Sequence, residues 1–182
     1  MKENKQEVTI EMPEDCQITM TGKILKVTGP KGENQRKLAD IHMNIKIENK
    51  TITLSYQKSG KKQKAQLHTT RAHIKNMIKG VKEGYNYKLK ICSGHFPMNV
   101  ALKGNIFEIK NFIGEKVPRT IKIKEGAKVN IKGDTIEVDG INKELVGQTA
   151  ASIEKLTKRP GFDKRIFQDG IYITEKDGKK IA

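Results

Sequence analysis

Two stretches of this 182-residue chain repeat each other about eighty positions apart, so one small unit is written twice. Shifting Ile18 to Glu33 forward by 82 lays it on Val100 to Glu115, with Gly22/Gly104, Ile24/Ile106, Gly32/Gly114 and Glu33/Glu115 identical. Ile18/Val100, Met20/Leu102, Leu25/Phe107 and Val27/Ile109 stay apolar. A second block matches at a shift of 79, where Thr70/Thr149, Ala72/Ala151, Ile74/Ile153 and Lys79/Lys158 are identical and Met77 faces Leu156. Two copies are too few for a solenoid, whose units lean on both neighbours for their cores. Each copy must therefore close a core of its own, which predicts domains over 1–84 and 85–182.

Within a copy the order is strands, then one helix. Val8 to Met12 alternates, and Ile18 to Met20 and Ile24 to Val27 read as a hairpin turning at Gly22-Lys23. In Gly29-Pro30-Lys31-Gly32, Pro30 presets its φ for a tight turn and the glycines permit close backbone approach. Asn44 to Glu48 and Thr51 to Tyr56 form a second pair across Asn49-Lys50, with Ile45, Ile47, Ile52 and Leu54 inward. From Lys61 the period becomes helical, and Leu67, Ile74, Met77, Ile78 and Val81 share one face of a helix ending near Gly84.

Tyr85 to Ile91 opens the second copy directly, leaving little room for a linker. Strands follow over Met98 to Leu102, Ile106 to Ile109, Thr120 to Ile123, Val129 to Ile131 and Thr135 to Val138. A helix from about Lys143 to Lys158 carries Leu145, Val146, Thr149, Ile153 and Leu156, with Pro160-Gly161 as its terminator. Phe167 to Ile173 reads as a turn into a last strand, and the charged tail after Thr174 is expected to fray. The fold class is α+β: two similar tandem domains, each a small, mostly antiparallel sheet arrangement packed with one main helix.

The charge constrains function. Lys and Arg number 36 against 21 Asp and Glu, a net +15, divided as 16 against 8 up to Gly80 and 20 against 13 beyond. Such self-repulsion in both halves suits a polyanionic partner. With 5 Phe, 4 Tyr and no Trp, each core must rely on Ile, Val, Leu and Met, so binding should supplement a modest intrinsic stability. Cys16 and Cys92 suggest neither a disulfide framework nor a zinc knuckle, and a reducing compartment fits. The charged N-terminus and the lack of a long apolar run argue against secretion and membrane spanning.

Two surfaces are candidates for contact. Lys64, His68, Arg71, Lys75, Lys79 and Lys82 span about an 80° sector of the first helix at 100° per residue, a quarter turn from its apolar face. A lysine ridge suits phosphates as point charges, though a merely solvated face has the same pattern. The second is Lys158-Arg159-Pro160-Gly161-Phe162-Asp163-Lys164-Arg165-Ile166-Phe167, four cations around two aromatics. Arg165 offers a fork for adjacent phosphates, while Phe162 either stacks on a base or anchors the loop to the core. His42, His68, His73 and His95 have no ligand-like companions, so no metal is expected, and no nucleotide-binding or hydrolase motif is present. No cofactor or small-molecule substrate is implied.

Several segments together resemble one family, the large-subunit ribosomal protein called L-six universally and L-nine in its eukaryotic branch. They are Gly22-Lys23-Ile24-Leu25-Lys26-Val27-Thr28-Gly29-Pro30-Lys31-Gly32, then Asn76 to Val81 with Gly84-Tyr85-Asn86-Tyr87-Lys88, then His95-Phe96-Pro97-Met98-Asn99-Val100 with Asn111 to Lys116, similar to the eukaryotic branch. Gln148-Thr149-Ala150-Ala151 and Arg165 to Tyr172 complete the set. The resemblance implies a non-enzymatic, structural place on the large ribosomal subunit near its factor-binding region. Ribosomal RNA close to the sarcin-ricin loop and neighbouring ribosomal proteins would be the partners. It implies a cytoplasmic location, with nucleolar assembly in a eukaryote, and assigns much of the RNA contact to Lys158, Arg159, Lys164 and Arg165. The short stretch between Tyr56 and His68 lacks an aromatic-rich segment found in some relatives, so their contacts there do not transfer. Two other readings compete: an RNA-processing enzyme using His95, Asp134 or Asp169, and a cytosolic protein-interaction adaptor.

Overall fold

The structure, a computed structural model, describes residues 6–38, 43–48, 51–56, 60–163 and 165–181. The chain divides into two compact units, Met1–Gly84 and Tyr85–Ala182. His42, Asn49 and Lys50 lie outside the described residues.

In the first unit, β1 (Gln6–Glu11), β6 (Thr51–Tyr56) and β5 (Asn44–Glu48) make one antiparallel sheet in that order, and β2 (Gln17–Thr21), β3 (Ile24–Gly29) and β4 (Gly32–Lys37) make another. Helix α1, Lys61–Lys82, packs on both and buries Leu67, Ile74, Met77, Ile78 and Val81 against Leu25, Val27, Ile52 and Leu54. Each fully buried aliphatic side chain contributes about 1.5–3 kcal/mol of transfer free energy. A Cβ on Gly29 would stand 2.8 Å from Val81 Cγ2 and 3.1 Å from its carbonyl oxygen, so glycine lets the end of β3 meet the end of α1. The turn is fastened there by the Lys31 N–H, which donates to the Val81 carbonyl at 2.9 Å, and by the Lys31 ammonium on the Glu83 carbonyl.

The second unit repeats this topology. Strands β7 (Tyr85–Cys92), β12 (Thr135–Gly140) and β11 (Ala127–Lys132) pair in the order of β1, β6 and β5, while β8 (Asn99–Lys103), β9 (Ile106–Lys110) and β10 (Arg119–Lys122) match β2, β3 and β4. Helix α2, Lys143–Leu156, buries Val146, Thr149, Ala150 and Ile153 over a core including Leu89, Phe107, Ile136 and Ile171. The second copy adds β13 (Gly170–Lys176) and β14 (Lys179–Lys180) on the free edge of β7, giving five strands.

Four expectations change, and one strand stands where none was expected. The segment Gly32–Lys37 is a strand, β4, although only Asn34 on it is fully buried; backbone pairing with β3 holds it. Ile47 is exposed because β5 is an edge strand. The tail after Thr174 does not fray: β13 runs to Lys176, turns at Asp177-Gly178 and pairs with β14, with Glu175 in a 3.1 Å ion pair to Lys88. Helix α2 ends at Leu156, ahead of Lys158 and Pro160. The identities Gly32/Gly114 and Glu33/Glu115 are not structurally equivalent. The offset between copies is 82 at Ile24/Ile106 but 85 at their cross-strand partners Lys37/Lys122, so the second copy holds three more residues between the strands. The tight Gly29–Gly32 turn is replaced there by a loop with a 3-10 turn over Phe112–Gly114.

Candidate nucleic-acid interface

The surroundings of the α2 C-terminus are built from what the second copy adds to the repeat. The inserted loop is clamped by Arg119, whose guanidinium donates to both carboxylate oxygens of Glu115 at 2.7 Å and to the Leu156 carbonyl at 2.6 Å while lying 4.4 Å from the Phe112 ring centre. Hydrogen bonding by Arg119 holds the Glu115 carboxyl below its ordinary value, against its partial burial. A cation on the last carbonyls of a helix also complements the helix dipole. Ile113 has φ 47° and ψ 42°, a left-handed conformation that β-branched residues avoid, at a cost of about 1–3 kcal/mol.

Past the helix, the Thr157 hydroxyl donates to the Glu154 carbonyl at 3.0 Å and accepts the Ile171 N–H at 3.0 Å, tying the helix end to β13. The loop between them carries a chain of stacked groups. Arg159 lies 4.1 Å from the centre of Phe162, Phe162 meets Phe167 edge-on at 5.0 Å, and Phe167 meets His95 at 5.1 Å. His95 Nδ1 is 2.5 Å from Asp169 Oδ2, and Asp169 Oδ1 accepts the N–H groups of Gly94 and His95 at 2.7 and 3.0 Å. Burial alone would raise the Asp169 carboxyl, but these His95 and Gly94 donors outweigh it and lower its pKa. Between the loop, the α2 end and the 3-10 turn lies a cleft of about 360 Å³ lined by residues including Phe112, Ile113, Lys158, Arg159, Phe162 and Tyr172.

The residues read from the sequence occupy different settings. Lys158 is exposed at the cleft and Arg159 is half-buried beside it. Arg165 is 90% exposed with its fork on Asp163 at 2.8 Å, an exposed pair of the kind that contributes little stability and exchanges readily for another anion. That hydrogen bonding lowers the Asp163 carboxyl. Lys164 lies outside the described residues. On α1, Lys64, His68, Lys75, Lys79 and Lys82 are exposed along one sector, whereas Arg71 is half-buried and its Nε has no hydrogen-bond partner among the described residues. Phe162 is 37% exposed and packs against Phe167.

Sequence reasoning missed Arg119, Lys155 and the His95–Asp169 pair. Residues 95 and 169 share no local pattern, and only the pairing of β13 with β7 brings their segments together. His95 and Asp169 thus converge as an enzyme reading would ask, but both carboxylate oxygens are spent on fastening Gly94 and His95. Asp134 lies elsewhere, in the β11–β12 turn, its carbonyl accepting the Ile91 N–H. Among the described residues no three His, Cys, Asp or Glu side chains gather to hold a metal, and no helix is long and apolar enough to cross a membrane.

The second copy of this duplicated α+β scaffold thus gathers cations and aromatic rings around one cleft. The ribosomal protein L6 family profile matches it twice, over residues 5–84 and 96–170. Large ribosomal subunit protein uL6 of Methanococcus vannielii is 49% identical over 172 residues, covering 94% of each chain. Its counterpart in Methanobrevibacter smithii is 44% identical over 168 residues, covering 92% of this chain and 94% of that one. The chain belongs to the ribosomal protein L6 family.

Proposed function

We propose that the chain is a structural constituent of the large ribosomal subunit in the cytoplasm, clamping ribosomal RNA through phosphate and shape contacts. The site is the factor-binding region near the sarcin-ricin loop, with neighbouring ribosomal proteins as further partners. The observation that carries this reading is the net charge of +15, spread over both copies of a family scaffold named for the ribosome. Lys158, Arg159, Lys164 and Arg165 of the 85–182 domain supply the principal contact. The α1 ridge of the 1–84 domain, with Lys64, Arg71, Lys75, Lys79 and Lys82, is a secondary surface. Phosphate neutralisation releases counterions, so roughly six contacts give a log–log salt slope of about −4 to −5.

Filter binding of the full chain to transcribed large-subunit ribosomal RNA across a salt series measures that slope, and a salt-independent affinity contradicts the reading. Replacing Arg159, Lys164 and Arg165 together by Ala should weaken binding more than replacing Lys64, Lys75 and Lys82. The reverse ranking would move the principal surface to α1.

A further inference from the structure

We propose that the cleft beside the α2 C-terminus accepts one unstacked nucleobase of the bound RNA, stacked on the Arg159 guanidinium that itself lies on Phe162. The inference rests on the reading that the Thr157–Phe167 loop faces RNA, and it names what enters. At about 360 Å³ the cleft has room for one heteroaromatic ring system, and its lining combines Ile113, Phe162 and Tyr172 with the cations Lys155, Lys158 and Arg159. Phe162 meets Phe167 in a T-shaped contact, carries Arg159 on its ring and remains 37% exposed, so the stacked pair stands at the cleft rather than within the core. Arg159 lies on that aromatic at 4.1 Å, and a planar guanidinium stacks on a base as it does on a phenyl ring. Lys155 and Lys158 stand on the same cleft, placed for the phosphates on either side of an extruded nucleotide.

The polar lining argues for stacking over edge recognition. Thr157 is bonded to Glu154 and Ile171, Asp169 to Gly94 and His95, and Glu154 Oε1 accepts the Ile173 N–H at 3.2 Å. These groups are engaged within the chain, so affinity should come from the ring face, which every base has. The strained Ile113 belongs to the same wall, on a loop the first copy lacks.

The chain contains no Trp, so Phe162→Trp places a single indole reporter in the cleft of the intact protein. On titration with transcribed large-subunit ribosomal RNA, this variant should lose most of its indole emission and become shielded from acrylamide. Phe162→Ala should weaken binding at least fivefold with an unchanged salt slope, because stacking involves no counterions. Ala151→Leu, which narrows the cleft without touching a charge, should do the same. Binding of Phe162→Trp with unquenched, acrylamide-accessible emission would overturn base insertion while leaving the phosphate reading intact. Failure of the wild-type chain to bind this RNA would remove both.

Discussion

At the level of single residues, the second unit turns charged groups into fasteners. Asp169 is the clearest case, since its buried carboxylate is surrounded by donors from Gly94 and His95, 74 or more positions away. Asp169→Ala should destabilise the protein by about 1–3 kcal/mol, because two backbone N–H groups lose their acceptor. Urea unfolding measures the loss, and faster amide exchange at Gly94 and His95 should accompany it. The pH dependence has a definite sign. A carboxyl whose pKa is lowered in the folded state contributes stability fully above its unfolded value of about 3.9 and loses it as pH falls through the folded value. Wild type should therefore lose this contribution below about pH 4, and the alanine variant should show a correspondingly smaller acid-induced loss.

At the level of elements, the two helices occupy equivalent places but have opposite terminal chemistry. Asn142 caps α2, accepting the Glu144 N–H at 2.9 Å, and Glu144 sits in its first turn. Helix α1 begins at Gly60, which has no capping side chain of its own; Gln63 Oε1 accepts the Gly60 N–H at 3.2 Å, and Lys61, Lys62 and Lys64 crowd its positive end. Asn142→Ala should destabilise by about 0.5–2 kcal/mol. Changing Lys61, Lys62 or Lys64 to Glu should stabilise the free chain by about 0.3–1 kcal/mol each at low ionic strength, and denaturant midpoints would reveal either result. A destabilising outcome for the lysine changes would show that α1 does not suffer from its own charge. Hydropathy reads both helices well because each buries one stripe. It reads Gly32–Lys37 poorly because β4 is held by main-chain bonds to β3 that no side chain announces.

For the whole molecule, the surplus of cations couples stability to partner binding. A polyanion that binds only the folded chain adds about 2.7 kcal/mol at a hundredfold excess over Kd. Thermal melting with saturating large-subunit ribosomal RNA should move upward at low salt and return toward the free value as salt rises. No shift at low salt would mean that the charge serves another purpose. The duplication, the strand-then-helix order and the apolar faces of α1 and α2 were all legible in the chain. So were the cations of the Lys158–Arg165 segment, but not their surroundings. Arg159 reads as one more phosphate contact until the folded loop lays it on Phe162. Arg119 reads as an ordinary strand residue until it is found bridging Glu115 and the end of α2.

Residue order alone therefore determined the twinned α+β plan, the helix faces and the sign of the electrostatic field, because periodicity and charge are local properties that survive projection onto a line. Only tertiary structure decided that the loop before β10, the end of α2 and the segment leading into β13 enclose a single cleft. Those segments are far apart along the chain, and their meeting depends on strand register and on β13 joining the edge of β7, which no local pattern encodes.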